Sequence, residues 1–391
     1  MKYIVILGDG MADYPLEELG GKTPLQAADK PNIDFIAEEG KSGMLRTIPA
    51  GMDPGSDVAN LSILGYDPCR YYSGRAPLEA ASIGVKLGDD EVAFRCNLIT
   101  EENGILADFT AGHITSEEAK ELIGALNESG LGAGKFYAGV SYRHLFVCDF
   151  GEKLKCTPPH DVVSEPIDKV LIKPENAESE VLNKLMHDSK KVLEGHEVNK
   201  KRMVNGRKPA NMIWLWGQGK KPELELFKDK YGLNGAVISA VDLIKGIGIS
   251  AGMDVLNVPG ATGFYDTVYE NKAKYALKAL KDHDYVYVHV EAPDEAAHSG
   301  DLELKIKTIE DLDRRLVGKI LDAPVECAVA ILPDHATPVK VKTHTGDAVP
   351  FAIMSPFHGR DNVERFDERS AGRGGFGKIE GGEFMKLLLG K

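Results

Sequence analysis

The sequence contains few cysteines, no long apolar run and no excess of positive charge. Its five cysteines are scattered, and the absence of a C-x-x-C pair excludes a zinc ribbon or a dithiol redox site and indicates free thiols. No segment approaches the roughly eighteen continuous apolar residues of a membrane-spanning helix. The opening residues, MKYIVILGDGMAD, hold too short an apolar run for a signal-peptide core. We therefore expect a cytoplasmic protein.

The formal net charge of −13 argues against nucleic acid or an anionic membrane as the main partner, because both would be repelled. A small anionic ligand would need positive charge supplied locally by a few side chains. At 391 residues, the chain is long enough for two or three average domains, or for one α/β core with a large insertion.

Short apolar runs rich in β-branched residues alternate with segments of helical period. The runs YIVIL (3–7), YVYVHV (285–290) and CAVAIL (327–332) are typical of buried strands, and the helical pattern PNIDFIAEEG follows the first. Between the last two strands one apolar stripe repeats at helical spacing: Leu302, Ile306, Ile309, Leu312, Leu316 and Ile320. Strand, helix and strand in that order predict an α/β fold with a mostly parallel sheet flanked by helices.

The middle of the chain has a different pattern. AFRCNLITEENGILADF and HLFVCDFGEKLKC are typical of β-hairpins, with turns at 102–104 and near Gly151. A charged helix over 180–203 and a short strand, NMIWLW, follow. We predict two domains: residues 1–86 with 220–391, and an inserted α+β domain over 87–219.

Three of the apolar strands end in an aspartate. YIVILGD ends at Asp9, VYVHVEAPD at Asp294, and CAVAILPDH at Asp334 followed by His335. In an open parallel sheet, ligands bind beyond the carboxyl ends of the strands, so these side chains are expected to meet. Each aspartate taken alone is more typical of a helix cap or a turn, but their conjunction favours one shared site.

Histidines accompany these aspartates at spacings that suit metal ions. Asp294 and His298 stand at i and i+4, on one face of a predicted helix, and His344 follows His335 in the loop KVKTHTGD. Imidazole and carboxylate ligands together suit Mn²⁺, Zn²⁺ or related ions better than Ca²⁺, and this set suffices for two ions. Two ions about 4 Å apart are the arrangement that serves phosphoryl transfer.

Ser56, in GMDPGSDVANLSILGYDP, is the candidate nucleophile. It precedes a short helical pattern, and a helix N-terminus offers free backbone N–H groups and the positive end of the helix dipole to an attached phosphate. An ordinary N-cap serine is the alternative. A metal ion that lowers the pKa of the hydroxyl would make Ser56 an attacking alkoxide.

A set of segments in fixed order carries a family resemblance: ILGDGMAD, TPLQAADKPNIDFIAEEG, PGSDVANLSILGYDP, VPGATG, APDEAAH, PDHATP and THTGDAVP. The chain resembles the cofactor-independent phosphoglycerate mutases of the archaeal type, members of the alkaline phosphatase superfamily. The resemblance implies an alkaline-phosphatase-like domain, an inserted cap domain, and interconversion of 2- and 3-phosphoglycerate without 2,3-bisphosphoglycerate. The substrate would be a small phosphorylated metabolite.

The resemblance also assigns roles to residues. It implies that Ser56 becomes phosphorylated and that two divalent ions are bound, Mn²⁺ or else Zn²⁺, Co²⁺ or Mg²⁺. The ligands of one ion would be Asp9, Ser56, Asp334 and His335, and those of the other Asp294, His298 and His344. The candidates for binding the charged groups of the substrate are Arg75, Arg143, His160, Asp161, Arg207 and Lys245.

The sequence departs from the archaeal mutases in the predicted cap. Trp216, in WLWGQG, stands where these enzymes generally carry an arginine, and Thr110 and His113 stand in a stretch that is arginine-rich in them. Fewer guanidinium groups would weaken the grip on a carboxylate or phosphate. A homoserine kinase on the same scaffold is therefore the alternative function, and a non-catalytic sensor of a phosphorylated metabolite is a second.

Overall fold

The computed structural model describes all 391 residues, and the chain divides into two compact units. The first unit consists of Met1–Tyr72 and Glu223–Lys391, and the second of Ser73–Pro222. The sequence predicted that the second unit begins at residue 87, whereas in the structure residues 73–86 also belong to it. A helix of this segment packs its alanines against the sheet of that unit, so apolar contact sets the boundary.

Each unit is built on one β-sheet. The strands are β1 (Lys2–Gly8), β2 (Lys41–Arg46), β3 (Val92–Glu102), β4 (Ile105–Asp108), β5 (Lys135–Val140), β6 (Arg143–Cys148), β7 (Met212–Lys220), β8 (Gly235–Ile238), β9 (Asp254–Val255), β10 (Tyr285–Val290), β11 (Cys327–Leu332), β12 (Val349–Met354) and β13 (Gly377–Glu380). Strands β3 to β7 form the sheet of the second unit, and the others form that of the first.

The α-helices connect and flank these strands. They are α1 (Pro24–Ala27), α2 (Pro31–Glu39), α3 (Ser56–Ile63), α4 (Pro68–Tyr71), α5 (Arg75–Ser82), α6 (Ser116–Glu128), α7 (Ala177–Leu193), α8 (Glu197–Val204), α9 (Phe227–Tyr231), α10 (Asp242–Ser250), α11 (Tyr269–Ala279), α12 (Ala292–Ser299), α13 (Leu302–Leu312), α14 (Gly318–Leu321), α15 (Glu368–Ala371) and α16 (Gly381–Leu388). None of them has both the length and the apolarity of a membrane-spanning helix.

The sheet of the first unit confirms the predicted α/β class. Its order is β13-β2-β12-β11-β1-β10-β8-β9, and only β12 runs antiparallel to its neighbours. Ile6 in β1 lies opposite Val288 in β10 and Ile331 in β11. All three residues are fully buried, which is why these strands are apolar without alternation. Strands β11, β1 and β10 therefore end side by side at one edge of the sheet.

The predicted helix between the last two strands is present with one irregularity. Its apolar stripe is buried at Ile309, Leu312, Leu316 and Ile320, whereas Leu302 and Ile306 are half-buried. A π-helical segment, Asp313–Val317, joins α13 to α14. The side chain of Asp313 accepts hydrogen bonds from Asn32 and from the backbone N–H of Ile33, which ties this segment to α2.

The second unit has an antiparallel sheet with helices packed on it, as predicted for an α+β insertion. β3 is central, with β6 and β7 on its two sides and β4 joined to it by the predicted turn at Asn103 and Gly104. The second predicted hairpin is wrong, because β6 pairs with β5 and β3. The predicted helix over 180–203 is divided into α7 and α8, since the chain leaves the helical path around Gly195 and His196 caps the second helix.

Candidate active site

The carboxyl ends of β11, β1 and β10 bring the predicted aspartates together. Asp9 follows β1, Asp334 follows β11, and Asp294 lies in the first turn of α12 after β10. The Nε2 atom of His335 lies 3.4 Å from Asp9 Oδ1 and 3.7 Å from Asp334 Oδ2. Asp294 joins them through Thr337, whose hydroxyl donates to Asp294 Oδ1 at 2.5 Å.

Gly10 allows the chain to turn beside these carboxylates. Its φ of +62° is left-handed, and a Cβ atom there would lie 2.5 Å from Asp294 Oδ1 and 2.7 Å from Thr337 Oγ1. Its backbone N–H donates to Asp334 Oδ1 at 3.3 Å. Any side chain at this position would be driven into the site.

Ser56 is the first residue of α3, and it does not act as an N-cap. Gly55 occupies the capping position, and the Ser56 hydroxyl lies 3.1 Å from His335 Nε2. The Thr337 hydroxyl donates to Asp294, so it accepts from His335 Nδ1, 3.1 Å away. This assigns the proton of a neutral His335 to Nδ1 and leaves the Nε2 lone pair facing Ser56.

Asp294, His298 and His344 form a second cluster at the same edge. The Nε2 atom of His298 lies 3.0 Å from Asp294 Oδ2 and 3.0 Å from His344 Nε2. The other ring nitrogens face backbone carbonyl oxygens, with His298 Nδ1 2.9 Å from Lys342 O and His344 Nδ1 3.4 Å from Pro54 O. When both rings are neutral, protons on the Nδ1 atoms would leave both Nε2 lone pairs directed at one point beside the carboxylate, as a bound cation requires.

Sequence reasoning missed His289, which lies in β10 with its ring between carboxylates. Its Nε2 atom is 3.5 Å from both Asp9 Oδ2 and Asp334 Oδ2, and its Nδ1 atom is 3.3 Å from Glu291 Oε1. The signal was a single histidine inside an apolar strand, and its side chain is fully buried. Because histidine is seldom enclosed completely, that position in YVYVHV could have been identified.

Asn60 was also missed. It lies one turn after Ser56 in α3, and its Nδ2 group donates to Ser56 O at 2.7 Å and to Asp334 Oδ2 at 2.9 Å. Its Oδ1 atom accepts from the Tyr287 hydroxyl at 2.5 Å. Asn60 therefore fixes the serine helix to β10 and to the carboxylate after β11.

The site holds more negative charge than its own cations neutralise. Burial raises the pKa of Asp9 well above its usual range, and the charges of Asp334 and Asp294 raise it further. Although burial also opposes ionisation of Asp294, the neighbouring rings of His298 and His344 hold its pKa well below the usual value. The hydrogen bond with Asp294 in turn raises the pKa of His298 to about 9. A further cation would allow every carboxylate to ionise.

The donor set fits divalent metal ions. Two groups of ligand atoms each lie within 4.8 Å of one another: Asp294, His335 and His344, and Asp9, His289 and Asp334. Asp9 Oδ1 and both ring nitrogens of His289 are buried without a hydrogen-bond partner. Buried polar atoms normally find partners, so unpaired donor atoms beside these carboxylates indicate a ligand. Nitrogen and carboxylate donors without thiolate suit Mn²⁺, Zn²⁺ or Co²⁺.

The second unit gathers positive charge around Trp216. Arg95 pairs with Trp216 across β3 and β7, and its guanidinium lies 4.2 Å from the indole ring. Its Nε atom lies 3.1 Å from Glu79 Oε2, and its side chain is only 11% exposed. Burial lowers the pKa of Arg95, Glu79 opposes that shift, and the charges of Arg75 and Arg143 lower it further. The charges of Arg75 in α5 and Arg143 in β6 therefore reach Arg95 in β3. Sequence reasoning missed Arg95.

His160 and Asp161 lie beside this cluster, in the turn Pro159–Asp161. The His160 ring is 5.4 Å from that of Trp216, and its Nε2 atom is 3.7 Å from Asp161 Oδ1. Burial lowers the pKa of His160, Asp161 opposes that shift, and Arg95 adds to it.

The remaining predicted residues are placed differently. Arg207 pairs with Glu118 at 3.6 Å and is 55% exposed, so its contact is outside the Trp216 cluster. Lys245 is on α10 of the first unit, the helix that packs against the Ser56 helix, and its Nζ atom is 3.5 Å from Asp242 Oδ1.

Comparison with known proteins assigns the family. The chain is 53% identical over 393 residues to a 2,3-bisphosphoglycerate-independent phosphoglycerate mutase of Methanothrix thermoacetophila, covering 100% of both chains. Identity to the protein of the same name from Methanosarcina acetivorans is 54% over 397 residues, again covering 100% of both. The chain belongs to the 2,3-bisphosphoglycerate-independent phosphoglycerate mutases.

Further similarities agree with that family. The sequence pattern of the 2,3-bisphosphoglycerate-independent phosphoglycerate mutases matches residues 37–199. A cofactor-independent phosphoglycerate mutase from Thermoplasma acidophilum has a similar structure, with a TM-score of 0.69 and 30% identity over 100% of this chain and 99% of that one. A protein from Pyrococcus horikoshii gives a TM-score of 0.86 with 34% identity, covering 99% of this chain and 96% of the other.

Proposed function

We propose that this protein interconverts 2-phosphoglycerate and 3-phosphoglycerate, with Ser56 carrying the phosphoryl group in between. The observation that carries the proposal is the Ser56 hydroxyl, 3.1 Å from His335 Nε2 among the carboxylates at the edge of the parallel sheet. Full-length identity of 53% to a relative named as a mutase supports the choice of substrate. The name of the family also supports a reaction that needs no added 2,3-bisphosphoglycerate.

Two divalent ions belong to the proposal, with Mn²⁺ as the first choice and Zn²⁺, Co²⁺ or Mg²⁺ as the others. Asp9, Ser56, Asp334 and His335 would hold one ion, and Asp294, His298 and His344 would hold the other. When bound, the ions supply positive charge that neutralises phosphoryl oxygens and lowers the pKa of the serine hydroxyl. The surplus of buried carboxylates at the site supports this assignment.

The reaction proceeds through two displacements at phosphorus. Ser56 Oγ attacks the phosphorus of the substrate, the bond from phosphorus to the glycerate oxygen breaks, and the serine proton ends on that oxygen. The glycerate turns, its other hydroxyl attacks the phosphorus, and Ser56 Oγ leaves with the proton of that hydroxyl. Meanwhile, the N-terminus of α3 presents backbone N–H groups and the positive end of its dipole to the phosphate on Ser56.

The second unit, Ser73–Pro222, serves as the cap that binds the charged groups of the glycerate. Its arginines around Trp216 are suited to a carboxylate, because a guanidinium group can donate two parallel hydrogen bonds. Arg95, on the strand beside Trp216, supplies a guanidinium next to the position where the archaeal mutases have an arginine. The other candidate contacts are Arg75, Arg143, His160, Asp161, Arg207 and Lys245.

One pair of assays tests the proposal. The purified, metal-loaded protein is incubated with 2-phosphoglycerate alone and, separately, with homoserine and ATP. We expect 3-phosphoglycerate in the first assay without added 2,3-bisphosphoglycerate, and phosphate on Ser56 in quenched samples. Formation of phosphohomoserine alone would replace the mutase with a homoserine kinase. Binding without turnover or modification of Ser56 would indicate a sensor.

The relatives favour the mutase over the homoserine kinase. The proteins from Methanothrix thermoacetophila, Methanosarcina acetivorans and Thermoplasma acidophilum are all named as phosphoglycerate mutases. A cytoplasmic location belongs to the same proposal. It is supported by the cysteines, all of which are free thiols.

A further inference from the structure

His289 is a buried group with no assigned role in the mechanism above. It lies in β10 at 0% exposure, and neither of its ring nitrogens has a hydrogen-bond partner of regular geometry. Enclosing an imidazole without partners is costly, so an unpaired ring at the edge of a site calls for a ligand. The two nitrogens face different surroundings, and those surroundings assign the proton.

The Nδ1 atom faces a carboxylate that is held in its ionised form. Glu291 Oε2 accepts from Lys272 Nζ at 2.9 Å, and both side chains are almost fully buried. Glu291 Oε1 accepts from the Ser239 hydroxyl at 2.9 Å and the Ala240 backbone N–H at 3.0 Å. Because an ionised carboxylate only accepts, the proton of a neutral His289 belongs on Nδ1, 3.3 Å from Glu291 Oε1.

The Nε2 atom then presents its lone pair to two carboxylates. It lies 3.5 Å from Asp9 Oδ2 and 3.5 Å from Asp334 Oδ2. These separations exceed the usual length of an N–H···O hydrogen bond. Donor atoms at this separation can bind one divalent ion together, because each bond from the ion to a nitrogen or oxygen ligand is about 2.1 Å long.

We propose that His289 is a further metal ligand of this protein, binding through Nε2 the same ion as Asp9 and Asp334. Glu291 acts as a positioning residue that fixes the tautomer and orientation of the ring, and Lys272 holds Glu291 in place. A carboxylate behind a ligating histidine is a common arrangement in metal sites. This inference rests on the proposed function only in taking Asp9 and Asp334 as metal ligands.

The protonation state of the ring gives a direct test. In the zinc-loaded protein with ¹⁵N-labelled histidine, we expect His289 to show a protonated Nδ1 and a metal-bound Nε2. Its signals are assigned by their absence from His289→Asn. A doubly protonated ring, or a neutral ring with free Nε2, would overturn the proposal. If His289 is bound but His298, His335 and His344 are all free of metal, the ligand set of the proposed function fails instead.

Metal affinity gives a second readout that is independent of turnover. Titration of the metal-free protein with Zn²⁺ or Mn²⁺ should show one site weakened about 10- to 100-fold or more in His289→Asn, and about tenfold in Glu291→Gln. The matched control is His283→Asn in the same unit, whose ring pairs with Asp254 at 2.8 Å, and its affinities should not change. Unchanged affinities in a folded His289→Asn protein would overturn the proposal, and folding is checked by circular dichroism.

Discussion

Both units enclose histidine side chains almost completely, and the pKa values of two of these rings, His144 and His289, are shifted in opposite directions. His144 in the second unit is 2% exposed, and His289 in the first is 0% exposed. Burial lowers the pKa of His144 to about 4, because no carboxylate lies beside it to compensate. Burial acts against His289 as well, but Asp334 and Glu291 raise its pKa to about 9. Equal burial therefore accompanies opposite pKa shifts in these two rings, and the neighbouring carboxylates make the difference between them.

The same contrast extends to the sites of the two units. The first unit concentrates buried carboxylates and imidazoles, which favour bound cations. The second concentrates arginines around an indole ring, which favour a bound anion. A phosphorylated acid is an anion, so a chain whose own net charge is −13 has to supply positive charge locally to bind it. Substitutions that change one surface at a time separate the contributions of the two.

Replacing the nucleophile should remove turnover and leave the second unit unaffected. Ser56→Ala lacks the oxygen that accepts phosphate, so we expect mutase activity to fall by about 10⁴-fold or more, with both ions still bound. Activity is measured by coupled assay, and metal content by elemental analysis. Ser299→Ala is the control, because that hydroxyl donates to Ala296 O at 2.7 Å. Normal activity in Ser56→Ala would contradict the mechanism.

Removing metal should abolish activity and destabilise only the first unit, which holds the buried carboxylates. Chelation leaves Asp9 and its neighbours without counter-charge, so turnover should fall to background and return with Mn²⁺, Co²⁺ or Zn²⁺. An ion present at about 100 times its dissociation constant stabilises the folded state by roughly 3 kcal/mol, which calorimetry would detect. Full turnover in protein verified to be free of metal would contradict this prediction.

Acidification should destabilise the second unit through His144. Its pKa is about 4 when folded and 6.5 in its ordinary state, so its contribution is present above pH 6.5 and lost as pH falls towards 4. Complete loss of the His144 contribution lowers the free energy of unfolding by about 3 kcal/mol. His144→Asn keeps an acceptor for the Gly139 N–H but cannot titrate. Urea unfolding at a series of pH values should show a smaller loss in the variant, and identical slopes would refute the assignment.

Removing one arginine should weaken substrate binding without changing metal content. Arg95→Met is expected to raise KM about 10- to 100-fold, the usual cost of losing a hydrogen bond between charged groups. Trp216→Phe should have a smaller effect of a few fold, because it retains an aromatic face for Arg95. Arg207→Met is the comparison, since Arg207 pairs with Glu118 outside the cluster and should matter less. Equal effects of the two arginine variants would remove the special role of Arg95.

The fold was predictable where local pattern and burial agree. The apolar runs became β1, β10 and β11, because strands buried on both faces have no polar side to present. The failures lie where long-range pairing decides, as with β6, which pairs with β5 and β3 and not with the residues that follow it. The second unit begins at residue 73 and not at residue 87, because the apolar face of α5 packs on that unit's sheet. This contact is also long-range, so local pattern does not show it.

The candidate site was predictable for residues at the ends of strands and hidden for residues within them. Asp9, Asp294 and Asp334 were found because strand ends in a parallel sheet converge. His289 and Arg95 were not found, because each lies inside a strand where the sequence alone suggests an ordinary sheet position. Their roles depend on which strand lies alongside.

The sequence by itself determined the order of strands and helices, the residue types at the site and the resemblance to a family. Those features are local, and they follow from periodicity and from short ordered motifs. Only the tertiary structure decided which groups touch, as with Ser56 and His335, which are 279 residues apart in the chain. The tertiary structure also decided how readily a histidine takes up a proton, because burial and neighbouring carboxylates, not residue type, give His144 and His289 opposite pKa shifts.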